Sequence, residues 1–137
     1  MTGKQKAGFT LVEILMVVAL IGILSTIVLV MVSKSRDRAA IKSYLSAMQS
    51  LRTGVEICFT GSTPISSGKA GDAVCAGKEL YPAISNSCGA SEQPIFVVSG
   101  SANYWTVESL KSDGSQWSCK DCAIACNINQ CDLSAGC

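Results

Sequence analysis

From Phe9 to Val32 the sequence reads FTLVEILMVVALIGILSTIVLVMV, an almost wholly apolar run. At about 1.5 Å of rise per residue it is long enough to cross a hydrocarbon core of about 30 Å as one helix. A run of this kind constrains the chain more than anything after it, because water is a poor solvent for every face of such a helix. One residue interrupts it: Glu13 lies a turn inside. A lone carboxylate there costs on the order of several kcal/mol unless it finds a partner. Upstream, MTGKQKAG is short and basic and stops at Gly8. A secretory signal also begins with lysines and an apolar stretch, but its apolar part runs to about 7–15 residues and an A-x-A-like cleavage site follows it. The run here is longer, and Ser-Thr-Ile-Val-Leu-Val near its end offers no such site. An ordinary single-pass anchor explains neither Glu13 nor the Gly8-Phe9 junction.

Lys6-Ala7-Gly8-Phe9-Thr10-Leu11-Val12-Glu13-Ile14 resembles the class III signal of type IV pilins and pseudopilins. The resemblance covers the leader and the long N-terminal helix to about Phe59. It implies that a membrane peptidase cuts after Gly8 and methylates the new N-terminal Phe9, and that Glu13 is the residue through which subunits assemble. Many members of this family carry a proline in the outer half of the apolar stretch, where the helix can melt in the filament. This chain has none there, so unwinding would have to use Gly22 and the Ser25-Thr26 pair.

A chain of 137 residues with this run leaves about a hundred for a soluble domain, enough for a modest core only. Small domains of this kind are usually stapled. Eight cysteines follow the apolar run: Cys58, Cys75, Cys88, Cys119, Cys122, Cys126, Cys131 and Cys137. Their even number and position suit disulfides formed outside the cytoplasm, with pairing unreadable among 105 arrangements. Net charge is +1, and loss of Lys4 and Lys6 with the leader would leave nine basic against ten acidic residues. Charge therefore selects no strongly acidic or basic partner. Nor does it orient the chain, since Lys34, Arg36 and Arg38 flank the far end of the run, offset by Asp37. The leader and the cysteines orient it, leader inside and head outside.

Beyond Arg36 the pattern turns amphipathic, with Ile41, Leu45, Met48, Leu51, Val55 and Cys58 at spacings of three or four. This predicts a helix continuing to about Phe59, its apolar face packed on the head, with Gly61 as cap and Pro64 beyond. Gly61 to Gly77 and Glu79 to Gln93 read as loops. Pro94–Ser99 and Tyr104–Leu110 read as a hairpin of two strands about a turn at 100–103, and Gln116–Lys120 as a third strand after a turn at 112–115. Trp105, Val107 and Trp117 are the expected large contributors to the core. The expected class is α+β: a long helix, half transmembrane and half amphipathic, on a small antiparallel sheet in a disulfide-stapled, pilin-like head. The expected divisions are a leader 1–8, a membrane or filament-core helix 9–32, its amphipathic continuation 33–60 and a head 61–137.

No histidine is present, which removes the commonest general base and metal ligand. There is no G-x-S-x-G, no Walker A and no Rossmann glycine pattern. Glu79, Glu92, Asp113, Asp121 and Asp132 are scattered and form no pair spaced for glycoside hydrolysis. Cys119-Lys-Asp-Cys122 with the later cysteines is the nearest thing to a zinc or redox motif, but it lacks the second C-x2-C knuckle of zinc ribbons. Disulfides are the simpler reading, and no cofactor, bound metal or enzymatic activity is expected. Lys69, Lys78, Lys111 and Lys120 are candidates for nucleic-acid contact, too scattered to make a basic stripe.

The resemblance implies a filament subunit inserted in the bacterial cytoplasmic membrane, its head outside, and later part of an extracellular pilus or a periplasmic pseudopilus. Implied partners are further copies or related pilins, the prepilin peptidase and methylase, a membrane assembly platform and membrane lipid. Two alternatives stay open: a minor pilin or pseudopilin of a secretion or DNA-uptake system, and a membrane-anchored metal or redox domain.

Overall fold

The computed structural model describes residues 8–76, 79–134 and 137. The leader residues 1–7 and Lys78 lie outside the described residues. The elements in order are helix α1 (Leu11–Thr60), strand β1 (Gly68–Lys69), a 3-10 turn (Asn86–Cys88), β2 (Ile95–Ser101), β3 (Tyr104–Leu110), β4 (Ile124–Asn127) and β5 (Cys131–Leu133). The chain divides into two units, Met1–Ser35 and Arg36–Cys137.

In the first unit the helix starts on Thr10, whose side-chain oxygen accepts from the Glu13 N–H at 3.3 Å. The large apolar side chains from Leu11 to Val32 are exposed, from 42 % at Val32 to 80 % at Leu11. The helix runs unbroken past Gly22, and the two hydroxyls beyond it are satisfied locally. Ser25 donates to the Ile21 carbonyl and Thr26 to that of Ile23, each at 2.8 Å.

In the second unit α1 buries Ala40, Tyr44, Met48, Leu51, Gly54, Val55 and Cys58. The predicted apolar face is rotated slightly: Ile41 and Leu45 pack only partly, while Ala40 and Tyr44 take the centre. Tyr44 can sit there because its hydroxyl hydrogen-bonds the buried Ser109 of β3, and its ring meets Trp117 edge-on at 5.1 Å. Arg52, on the flank, donates from Nε to the Asn127 carbonyl at 3.0 Å and from Nη2 to that of Ile128. The helix ends at Thr60, but the capping residue differs from the expected glycine. Ser62 takes the left-handed conformation, with φ of 53°. The Thr63 N–H bonds the Cys58 carbonyl and the Ser62 N–H that of Phe59, each at 3.1 Å, which is the Schellman pattern.

The sheet is an antiparallel meander, β1-β2-β3-β4-β5, so neighbours in sequence are neighbours in space. Strand β3 has the predicted bounds, because Tyr104–Leu110 alternates as a half-buried strand should. Its hairpin with β2 is tighter than expected: Ser101 pairs Tyr104, leaving Ala102-Asn103 as the loop. Gly100, at φ of 117°, sits inside the strand, where a Cβ would overlap the Tyr104 carbonyl. Two expectations fail. The stretch 61–77 is not all loop, since Gly68 and Lys69 pair with Phe96 and Ile95. Gln116–Lys120 forms no strand and makes only isolated bridges, Gln116 to Leu110 and Cys119 to Cys122; the remaining strands lie later, at Ile124–Asn127 and Cys131–Leu133. Trp105, Val107 and Trp117 are buried as expected. The Trp117 Nε1 donates to the Glu92 carbonyl at 3.0 Å, so its polar atom is not stranded. Phe59 on Trp105 and Tyr81 on Phe96 complete the aromatic core.

Candidate functional site

Gly8, Phe9 and Glu13 fall at the start of the first unit. Gly8, Phe9 and Thr10 precede the helix, and all four residues are exposed. Glu13 occupies the third helical position. Its N–H bonds both the carbonyl of Thr10, at 3.1 Å, and the Thr10 hydroxyl. That is one half of a capping box, and Thr10-x-x-Glu13 before an apolar run is its signature. The apolar pattern alone does not single out Thr10; the T-x-x-E spacing does. An acid in the first turn also faces the positive end of the helix dipole. The cap bonds hold the Glu13 backbone, and neither they nor the dipole supply a full counter-charge to its carboxylate. Among the described residues the single ion pair is Lys120 with Asp37, so Glu13 has no cationic partner within them. The arrangement is therefore an unpaired carboxylate on an uncovered apolar helix, suited to receiving a cation from another molecule.

The cysteines form a second constellation, in the second unit. Cys58 pairs with Cys75, Cys88 with Cys119, Cys122 with Cys137 and Cys126 with Cys131. The first of these fastens the helix end to the following loop. The C-x2-C motif is divided between two bonds rather than closed on itself. Cys119 and Cys122 face each other across a two-residue turn, each N–H bonding the other's carbonyl at 2.8 and 3.0 Å. Both central residues, Lys120 and Asp121, are left-handed, with φ of 52° and 68°. Among the described residues no three candidate ligands gather into a metal site.

Of the candidate lysines, Lys111 and Lys120 line an open depression of about 490 Å³ beside Glu92 and Asp121, which offset their charge. Lys120 is also engaged with Asp37 at 3.2 Å, and Lys69 is on β1. Among the described residues no basic stripe results. Three of the scattered acids are held locally. Glu92 accepts from the Ser112 N–H and hydroxyl. Asp132 accepts from Gln130 at 2.6 Å. The hydroxyl and N–H of Ser115, both donating to Asp113, hold that carboxyl below its usual range.

Comparison with known proteins bears on the first constellation. Residues 3–29 match the prokaryotic N-terminal methylation motif. Two proteins of Dichelobacter nodosus, each described as a probable minor fimbrial protein, are 33 % identical to this chain over 99 residues. The match covers 69 % of this chain and 57 % of each relative, so the chain spans little more than half the length of the curated relatives it matches. No solved structure matches.

Proposed function

We propose that this chain is a type IV pilin-like protein, a structural subunit of a helical filament and not an enzyme. It enters the cytoplasmic membrane through Phe9–Val32 with its stapled head outside. A prepilin peptidase cuts after Gly8, and Phe9 becomes a free, methylated N-terminus. The observation carrying this reading is Glu13: a carboxylate without an intrachain cation among the described residues, five positions into the mature chain. The new amine of a neighbouring subunit supplies that cation. Neither charge is easily buried alone, so each lowers the cost of burying the other and together they fix axial register. The uncovered apolar helices then pack on each other, and because the contact is head-to-tail, growth is open-ended. The names of the two relatives favour a minor subunit over the major one.

Intact mass of filament or membrane protein tests the processing step. A chain starting at Phe9 with one added methyl is expected; one retaining Met1, or starting beyond Val32, overturns the reading. Glu13→Leu tests the pairing. The variant inserts normally, because the helix becomes more apolar, but its incorporation into filaments falls sharply. Normal assembly of Glu13→Leu would remove the charge-pairing mechanism.

A further inference from the structure

Just past the apolar run, α1 carries Arg36, Arg38 and Lys42, all exposed, with Lys34 before them in sequence. Among the described residues none of the four makes an ion pair. Arg38 and Lys42 stand four apart on one helix face, where like charges oppose each other and mildly destabilise the helix. The acid among these cations, Asp37, is taken up by Lys120 at 3.2 Å. Lys120 is held in the Cys119–Cys122 turn, which disulfides to Cys88 and Cys137 fix. The tail thus takes up the one negative charge in the run, and the charges left exposed there are all cationic.

We infer that Arg36, Arg38 and Lys42 bind the phosphates of anionic phospholipids in the leaflet beside the head, while the subunit waits in the membrane. The inference rests on the membrane-anchored reading above. At about 1.5 Å per residue, Arg36 lies about 6 Å beyond Val32, Arg38 about 9 Å and Lys42 about 15 Å. The polar layer on each side of a bilayer is about 5–8 Å thick. Helical side chains lean toward the N-terminus, here toward the bilayer, and long basic stems extend that reach. The first two cations therefore stand at phosphate level, and Lys42 leans down to it. Such a cluster on the translocated side also runs against the usual bias of basic residues to the cytoplasmic face. An anionic leaflet gives these charges a partner there, and assembly into a filament would have to release it.

The test uses the mature full-length chain, starting at Phe9, in phosphatidylcholine bilayers containing a minor fraction of phosphatidylglycerol. Spin-labelled lipids of each type report which headgroup the protein retains. Each basic residue at the surface contributes roughly a fivefold preference for an anionic lipid. The labelled phosphatidylglycerol should therefore be selected at least about fivefold over phosphatidylcholine at low salt, and less as salt rises. Arg36→Gln/Arg38→Gln/Lys42→Gln should bring selection close to parity, whereas Lys69→Gln/Lys111→Gln on the head should leave it intact. Unchanged fluorescence of Trp105 and Trp117 verifies that the variants are folded. Equal association of both lipids with the native chain, or selection surviving in the triple variant, overturns the inference. So does a triple variant that fails only in filament incorporation while the native chain shows no lipid selectivity, which would assign these cations to a neighbouring subunit. Alkaline extraction of the same vesicles separates the two levels. An extracted chain overturns the membrane-anchored reading itself, whereas a chain that stays inserted without selectivity overturns only the lipid contact.

Discussion

Removing Cys58–Cys75 and, separately, Cys126–Cys131 gives a direct measure of what the staples contribute. The perturbation is a pair of alanines at each bond. The residues in a pair are 17 apart in sequence in the first case and 5 in the second. If a crosslink acts by restricting the unfolded chain, the loss grows with the logarithm of loop length, to about 3 kcal/mol for the first pair and about 2 kcal/mol for the second. Local packing losses are similar, since Cys58, Cys75 and Cys126 are all buried and Cys131 is half-buried. The difference of about 1 kcal/mol is therefore the quantity that isolates the entropic effect. Urea unfolding of the mature chain in micelles, followed by Trp105 and Trp117, reads it. With a slope of about 1.5 kcal/mol per M, the midpoint should fall by about 2 M for the first pair and about 1.3 M for the second. Cys88–Cys119, with a separation of 31, should be the costliest of the four to remove. Equal losses, or a larger loss from the short loop, would refute the argument.

Arg52→Ala should cost about 2 kcal/mol by the same unfolding assay, because it strands the Asn127 and Ile128 carbonyls; Arg52→Lys should recover only part, lacking the planar fork. Ser62→Gly should stabilise by about 1 kcal/mol, since glycine occupies the left-handed cap without the Cβ penalty. Burial, with the nearby Asp72 carboxylate, pushes the Tyr81 hydroxyl up to about 12. The unfolded chain releases that proton near pH 10 and the folded one later, so stability is complete below about pH 10 and is lost as pH rises toward 12. Tyr81→Phe should flatten this alkaline decline, by up to about 2 kcal/mol, in pH-dependent unfolding curves.

Much of the fold is written in simple periodicities, and the exceptions have physical causes. Leu11–Thr60 and β3 follow from strong apolar patterns of period near four and two. Tyr44 escaped because a hydroxyl looks out of place in a core until its partner, Ser109, is known, and that partner lies 65 residues away. Strands β4 and β5 escaped because Ile124-Ala-Cys-Asn127 and Cys131-Asp-Leu133 contain few β-branched residues. Their pairing is enforced by the Cys126–Cys131 bond and by β3, not by local preference. Trp117 suggests a strand around it, yet it is held by its indole bond to Glu92 and a single backbone bond to Ser109. At the N-terminus Gly8, Phe9 and Glu13 could be singled out from the sequence, whereas the cap contact of Thr10 needed the helix start to be located first. The pairing of Lys120 with Asp37 had no local signal, being set by where the disulfides bring the tail.

The connectivity of the four bonds also bears on how the head is made. On the proposed topology the chain leaves the membrane machinery with Cys58 first, and an oxidant joining cysteines in order of emergence would make Cys58–Cys75 and then Cys88–Cys119 correctly. The same rule fails next, since it would join Cys122 to Cys126. The native bonds there are nested, with Cys126–Cys131 inside Cys122–Cys137. Export would thus deliver a half-finished head whose helix end is already locked, while its last four cysteines choose among three arrangements. Secretion of this protein should depend on a disulfide isomerase far more than the first two bonds alone would require.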